Sequence, residues 1–228
     1  MEKEKNKIFL CDDYIITSKK QYSINQLRLF YHLLYKFREI NYFQNNLEFS
    51  EIIEDTIELE NTEVQKIFIQ SRYTELDIQD LIESIPDHII LIDKNGIDVV
   101  KLYIFDYIQY MKFDCAIFKF NQECFKYINN IYQNFSKLNL NDFNLLKSKY
   151  SQRLYELSCK FDNQKYYTMP IDTFRNFFKI ENKYINAEIN RYILKTAINE
   201  INEKTSKFII AETVKKNNKL THIKFIFN

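Results

Sequence analysis

Apolar positions along this chain switch between helical and strand spacing, and each switch marks an element. Ser23-Ile24-Asn25-Gln26 reads as a capping box, the Ser hydroxyl and Gln amide satisfying free backbone groups of a first turn. Leu27, Phe30, Tyr31, Leu34 and Phe37 follow at helical spacing, which predicts an amphipathic helix over residues 24–39. The apolar patch Leu47-Glu48-Phe49 precedes Ser50, a cap for a brief helix through Asp55. Thr62-Glu63-Val64-Gln65 reads as a second capping box, opening a helix with Val64, Ile67 and Phe68 inward and Lys66, Gln70 and Arg72 outward. Strand-like runs 88–93 and 97–102 flank Lys94-Asn95-Gly96, and Asn-Gly supplies the positive φ of a tight hairpin turn. Residues 114–120 predict a further strand, with Asn121 capping a helix that contains Phe125, Ile128 and Tyr132. The order is helix, strand, helix, helix, hairpin, which is that of a winged helix.

Residues 136–141 are polar and without a period, and the domain junction is placed there, giving domains 1–137 and 138–228. A helix over 142–161 is expected to bury Leu146, Tyr150, Leu154 and Leu157. Pro170 stops any continuation, and Asp172 and Thr173 open a short helix with Phe174, Phe177 and Phe178 inward. A long helix covers 186–204, and β-rich segments 207–214 and 220–227 enclose the polar tip Lys215-Lys216-Asn217-Asn218-Lys219. Helix, helix, helix, hairpin thus repeats. Displacing the first helix by 124 residues pairs Tyr31 with Tyr155, Leu33 with Leu157, Lys36 with Lys160 and Phe37 with Phe161. The expected fold class is α+β, two tandem winged helices related by duplication.

Composition narrows the chemistry. The chain has one glycine in 228 residues, so the glycine-rich loops of P-loop ATPases and Rossmann dehydrogenases are excluded. Cys11, Cys115, Cys124 and Cys159 form no C-x-x-C pair and read as reduced, mostly buried thiols, while His32, His88 and His222 are isolated; neither set makes a metal site. No cofactor is expected. No apolar run approaches the roughly 18 residues of a membrane span, and Met1-Glu2-Lys3-Glu4-Lys5 lacks a secretory signal, so the expected location is cytoplasmic. The net charge of +1 conceals an asymmetry: sixteen Lys/Arg against nine Asp/Glu from Leu138 onward, +7, leave −6 for the remainder. A basic C-terminal half suits a polyanion.

On a helical wheel, Ile189, Ile193, Leu194, Ala197 and Ile201 cluster inward while Arg191, Tyr192, Lys195 and Asn199 face outward. In a helix-turn-helix the second helix lies in the major groove. Arg191 is then placed to read guanine through its two-pronged donors, and Asn186 or Asn190 to read adenine, although the wheel puts Asn190 near the buried side. Lys215, Lys216 and Lys219 at a hairpin tip are placed to straddle phosphates without reading sequence. Each feature alone also describes an ordinary solvated surface; the combination of a basic wing with a basic third helix is more specific.

The run Leu146-Lys147-Ser148-Lys149-Tyr150-Ser151-Gln152-Arg153-Leu154-Tyr155-Glu156-Leu157 closely resembles the LKSKYSxRLYELL segment of iteron-binding plasmid replication initiators, the Rep_3 or RepB-type family. Residues 193–202 resemble that family's VLKPAIKEIN helix, 215–225 its KKGRKVxxIxF ending, and 23–37 the opening of its first domain. Thr196 replaces the usual proline, Asn217-Asn218 replaces Gly-Arg, and Asn190 stands where a basic residue is common. The resemblance implies two winged helices on double-stranded DNA with direct repeats, the C-terminal one giving most of the reading and the N-terminal one a dimer surface and a secondary DNA contact. It also implies a monomer in equilibrium with an autorepressing homodimer, and a host replication initiator and replicative helicase as partners. By the same resemblance Lys149 and Arg153 lie near phosphates, Arg153 having a competing role in an i,i+3 pair with Glu156. Lys183 is a further phosphate candidate, and Lys66 and Arg72 are candidates for the N-terminal contact.

Three other readings compete. A rolling-circle nicking enzyme has tyrosines in plenty, but the histidines lie more than 50 residues apart and form no His-x-His cluster. A winged-helix repressor without a replication role uses the same surfaces. A protein-binding scaffold predicts no salt-sensitive DNA affinity.

Overall fold

The computed structural model describes residues 7–11, 23–43, 54–68, 73–85, 88–92, 99–124, 135–180, 184–217 and 219–227. Two compact units divide the chain, Met1–Phe135 and Ser136–Asn228.

In the first unit, β1 (Lys7–Cys11) precedes α1 (Ile24–Arg38). Ser23 makes the expected capping box, its hydroxyl accepting from the Gln26 N–H at 3.3 Å while Gln26 Oε1 accepts from the Ser23 N–H at 2.7 Å. All five of the predicted inward residues of α1 are buried. A π turn, Glu39–Phe43, continues the helix, and its buried Asn41 fastens Glu54 by bonds of 2.9 and 3.0 Å to that residue's carbonyl and N–H. Next come β2 (Thr56–Glu60), α2 (Asn61–Gln65) and α3 (Glu75–Glu83), the last opened by a Thr74/Asp77 capping box. β3 (His88–Ile92) and β4 (Val99–Tyr103) form a two-stranded sheet of their own. β5 (Phe105–Tyr110) and β6 (Cys115–Phe120) complete a three-stranded antiparallel sheet in the order β2-β6-β5.

After β7 (Phe135–Asn139), the second unit holds α4 (Leu140–Leu145), α5 (Lys149–Lys160), β8 (Tyr166–Pro170) and α6 (Ile171–Phe178). α7 (Asn186–Glu188), a π segment (Ile189–Leu194) and α8 (Lys195–Lys204) run on as one helix. β9 (Ile209–Lys216) and β10 (Lys219–Phe227) form the wing, and the sheet order is β8-β10-β9.

Both units follow one plan. A helix leads to a strand, the strand passes directly into a second helix, a third helix follows, and the last strand pairs with the first. Three of the displaced identities are core residues in both units: Tyr31 and Tyr155, Leu33 and Leu157, and Phe37 and Phe161 are all buried. The fourth residue of each second helix, Val64 and Phe174, is buried as well. The start of the first helix is tied to the third in both units, with opposite polarity. Gln26 Nε2 donates to the Ser84 carbonyl at the end of α3, whereas Glu200 on α8 accepts from the Lys147 and Ser148 N–H groups before α5, at 2.8 and 3.2 Å.

The structure revises several expected boundaries. Thr62 does not cap: α2 starts at Asn61 because Ile57 and Leu59 alternate inward and extend β2 to Glu60, so the Thr62 hydroxyl turns to Glu60 Oε2 at 3.2 Å. The helix expected from Thr62 ends at Gln65, its residues 69–72 lying outside the described residues; the third helix is α3, which the Thr74/Asp77 box opens. Of the helix expected at 50–55, residues 50–53 lie outside the described residues, and Glu54 and Asp55 are not helical. The hairpin at 88–102 is an insertion; the pair equivalent to the second unit's wing is β5–β6. Its Asn95-Gly96 turn, and the helix expected beyond Cys124, lie outside the described residues. The helix predicted over 142–161 breaks at Leu146, where Ser148 caps α5 by accepting from the Tyr150 N–H at 3.2 Å. Residues 136–141 are not a structureless junction but β7 and the start of α4. The wing strands extend farther than expected, to Lys216 and from Lys219, with Asn217 in the left-handed region at φ 51.

Candidate nucleic-acid interface

The helix over 186–204 carries the outward cations because its apolar positions bind it to the core. Ile189, Ile193, Leu194, Ala197 and Ile201 are all buried. Ile189 and Leu194, five residues apart, would stand about 140° apart on an α-helix at 100° per residue. A π turn closes i→i+5 and narrows that angle; the Lys195 N–H accordingly bonds to the Asn190 carbonyl. Arg191, Tyr192, Lys195 and Asn199 are exposed, and the Arg191 guanidinium lies 5.3 Å from the Tyr192 ring centre. Asn190 is half-buried.

The entry to this helix is fixed by a residue that the periodicity did not single out. Arg175 on α6 donates to the Tyr184 carbonyl at 2.7 Å and to Asn186 Oδ1 at 3.0 Å. Asn186 is exposed, and the Arg175 bond takes one of the two lone pairs of its Oδ1, so any two-pronged adenine contact uses the other together with the amide NH2. A lone cation among the three phenylalanines of the Phe174-Arg175-Asn176-Phe177-Phe178 run was the available signal.

Lys215, Lys216 and Lys219 are exposed on the wing, and Lys216 pairs with Lys219 across the strands. Like charges directly opposite each other are destabilising, a cost that an anion between them relieves. At the start of α5, Lys149 is exposed, its ammonium 5.1 Å from the Tyr150 ring centre. Arg153 is placed differently. It is buried, bonds to the fully buried Glu156 at 2.5 Å and lies 4.0 Å from the Phe177 ring centre. That places its guanidinium inside the fold, in the structural role the i,i+3 spacing offered. Lys183 lies outside the described residues.

Glu200 holds this frame in register. Burial pushes its carboxyl up, but Lys204, Ser151 and the Lys147 N–H outweigh burial and leave it below the ordinary carboxylate range. Its oxygens bond to Lys204 Nζ at 2.8 Å and to the N–H groups at the start of α5. The two stretches 146–157 and 193–202 are therefore partners in the fold, one capping the other.

The equivalent surface of the first unit has the opposite character. α3 carries Glu75, Asp77, Asp80 and Glu83 and no cation. Leu76, Asp80 and Glu83 share its exposed ridge, Leu76 being 65% exposed. The β5–β6 turn is fastened to this helix: Glu75 Oε1 accepts from the Phe113 N–H at 2.9 Å and from the Tyr110 hydroxyl. Phe113 has φ 64, unusual for a bulky residue, and that bond helps hold it there. Lys66 is exposed just after α2, and Arg72 lies outside the described residues.

Divided at the unit boundary, Ser136–Asn228 holds seventeen Lys/Arg against nine Asp/Glu, and Met1–Phe135 fifteen against twenty-two. Among the described residues no group of three or more His, Cys, Asp or Glu is placed to hold a metal ion, and no helix is long and apolar enough to cross a membrane. Cys115, Cys124 and Cys159 are free and buried, and burial pushes the Cys124 and Cys159 thiols up to about 12.

Two winged helices in tandem, the second presenting cations on both its third helix and its wing, define a DNA-binding protein. Comparison with family models agrees: one described as Initiator Replication protein, WH1, matches residues 12–159, and one described as Initiator Rep protein, WH2, matches residues 170–227. The chain belongs to the Rep_3 family of plasmid replication initiators. Among solved structures it is similar to a crystal structure of domains 2 and 3 of RctB, at 10% identity and a TM-score of 0.47, over 92% of this chain and 84% of that one. Comparison with curated proteins gave no match.

Proposed function

We propose that this initiator binds directly repeated sites at its origin, and that the second unit does the sequence reading. The observation that carries this is the exposed Arg191 and Lys195 on a helix flanked by a wing whose Lys216 and Lys219 face each other. Arg191 reads a guanine, Lys195 a neighbouring base or phosphate, and Lys149, Lys183 and the wing lysines hold the backbone. Asn186 and Asn190 are secondary readers, one tethered by Arg175 and the other half-buried. Arg153 supports the frame from inside.

The first unit contributes a dimer surface and backbone contacts from Lys66 and Arg72, but α3 does not enter a groove, since its four carboxylates would face phosphates. The monomer initiates while the homodimer represses the initiator's own gene, and a host replication initiator and replicative helicase join at the origin in the cytoplasm. The protein acts by binding and not by strand cleavage.

Binding of the full chain to DNA flanking its gene, against a scrambled duplex across a salt series, tests this. Preference for the flanking DNA, weakening steeply with salt, is expected. No preference would reject it, and a covalent protein–DNA adduct on supercoiled plasmid would make the protein a nicking enzyme instead.

A further inference from the structure

The π segment, Ile189–Leu194, carries an aromatic ring beside one of the outward cations. Arg191 and Tyr192 are both exposed within this segment, while Ile189, Ile193 and Leu194 are buried. Tyr192 is 56% exposed, a large aromatic ring offered to solvent beside a guanidinium at 5.3 Å. Nothing in the core requires that ring, since the buried face is complete with Ile189, Ile193 and Leu194.

We propose that Tyr192 is a specificity-determining positioning residue, its ring holding the Arg191 guanidinium in the plane and direction from which it meets a guanine edge. The inference rests on the reading of the 186–204 helix as the groove-entering element. An arginine side chain has several rotatable bonds, and a free one samples many directions, so contact with a flat ring narrows the ensemble before DNA arrives. The ring acts through Arg191, so its effect belongs to one base pair. The helix supplies the placement: Ile189, Ile193 and Leu194 hold its inner face in the core, which leaves Arg191 and Tyr192 adjacent on the exposed side.

The test uses the full chain and a panel of duplexes in which each base pair of the wild-type footprint is changed in turn. Wild type, Arg191→Ala, Tyr192→Phe and Tyr192→Ala are compared for discrimination at each position and for salt dependence. Arg191→Ala should abolish preference at one G·C pair, about tenfold or more for a good two-pronged contact. Tyr192→Phe should keep that preference, and Tyr192→Ala should lower it about two- to fivefold at the same pair only, with the salt slope unchanged. Full preference in Tyr192→Ala overturns the inference while leaving the reading helix intact, as does an equal loss at all positions, which marks a structural role. A wild type without preference, or one indifferent to Arg191, overturns the reading of the helix and this inference with it.

Discussion

The two units share a plan and differ in what they place at its working face. In the first, the third helix bears four carboxylates and no cation, and the neighbouring strand turn is tied to it through Glu75. In the second, the third helix turns Arg191 and Lys195 outward, and the wing strands carry Lys215, Lys216 and Lys219 to their tip. The second unit also has carboxylates on that helix, but two of them are directed to backbone donors, Glu188 to the Ile185 N–H at 2.9 Å and Glu200 to the start of α5. A winged-helix scaffold is thus silent about nucleic acid until the charge of its third helix and the freedom of its wing are known.

This contrast can be broken by exchange of charge. The largest expected effect is on reading: Arg191→Ala combined with Lys195→Ala should reduce discrimination between the cognate site and a scrambled duplex by about 10- to 100-fold, measured by direct titration. Replacing Lys215, Lys216 and Lys219 together by Ala should weaken both duplexes alike, the slope of log affinity against log salt falling by about 0.9 for each lysine that meets a phosphate. Glu200→Gln should destabilise the fold by about 1 kcal/mol, read as a lower unfolding midpoint, because it weakens the cap on α5. The same carboxylate gives a pH signature. Its folded pKa lies below its unfolded value, so its contribution is complete above pH of about 4.3 and is lost as pH falls through the folded pKa. Acid unfolding of wild type and Glu200→Gln should therefore converge at low pH. Smallest of all, Asp80→Lys with Glu83→Lys on α3 should change stability by no more than about 0.5 kcal/mol, raise affinity for scrambled DNA and leave the preferred sequence unchanged.

Much of this was legible in the sequence. Helical spacing identified α1 and the 186–204 helix with their buried faces, because an amphipathic stripe is a direct image of one-sided burial. Short elements were less visible. α2 has five residues, too few to show a period, and a capping pattern at Thr62 outweighed the strand alternation of Ile57 and Leu59. The hairpin at 88–102 resembled a wing because pairing with β2 is a long-range property that no local pattern encodes. At the interface, exposure of Arg191 and Lys195 followed from the wheel, whereas the inward turn of Arg153 depends on Phe177, 24 residues away. Arg175 and Glu200 were missed as organisers since their partners, Tyr184, Asn186 and the Lys147 N–H, meet them only once the helices pack.

The most direct test of the central claim compares two variants of the full chain, Arg191→Ala/Lys195→Ala in the second unit and Asp80→Ala/Glu83→Ala in the first. The quantity measured is the ratio of affinities for the cognate repeat and a scrambled duplex. The ratio should fall in the first variant and hold in the second. A ratio that holds in the first variant and falls in the second would place the reading surface on α3 and contradict the account.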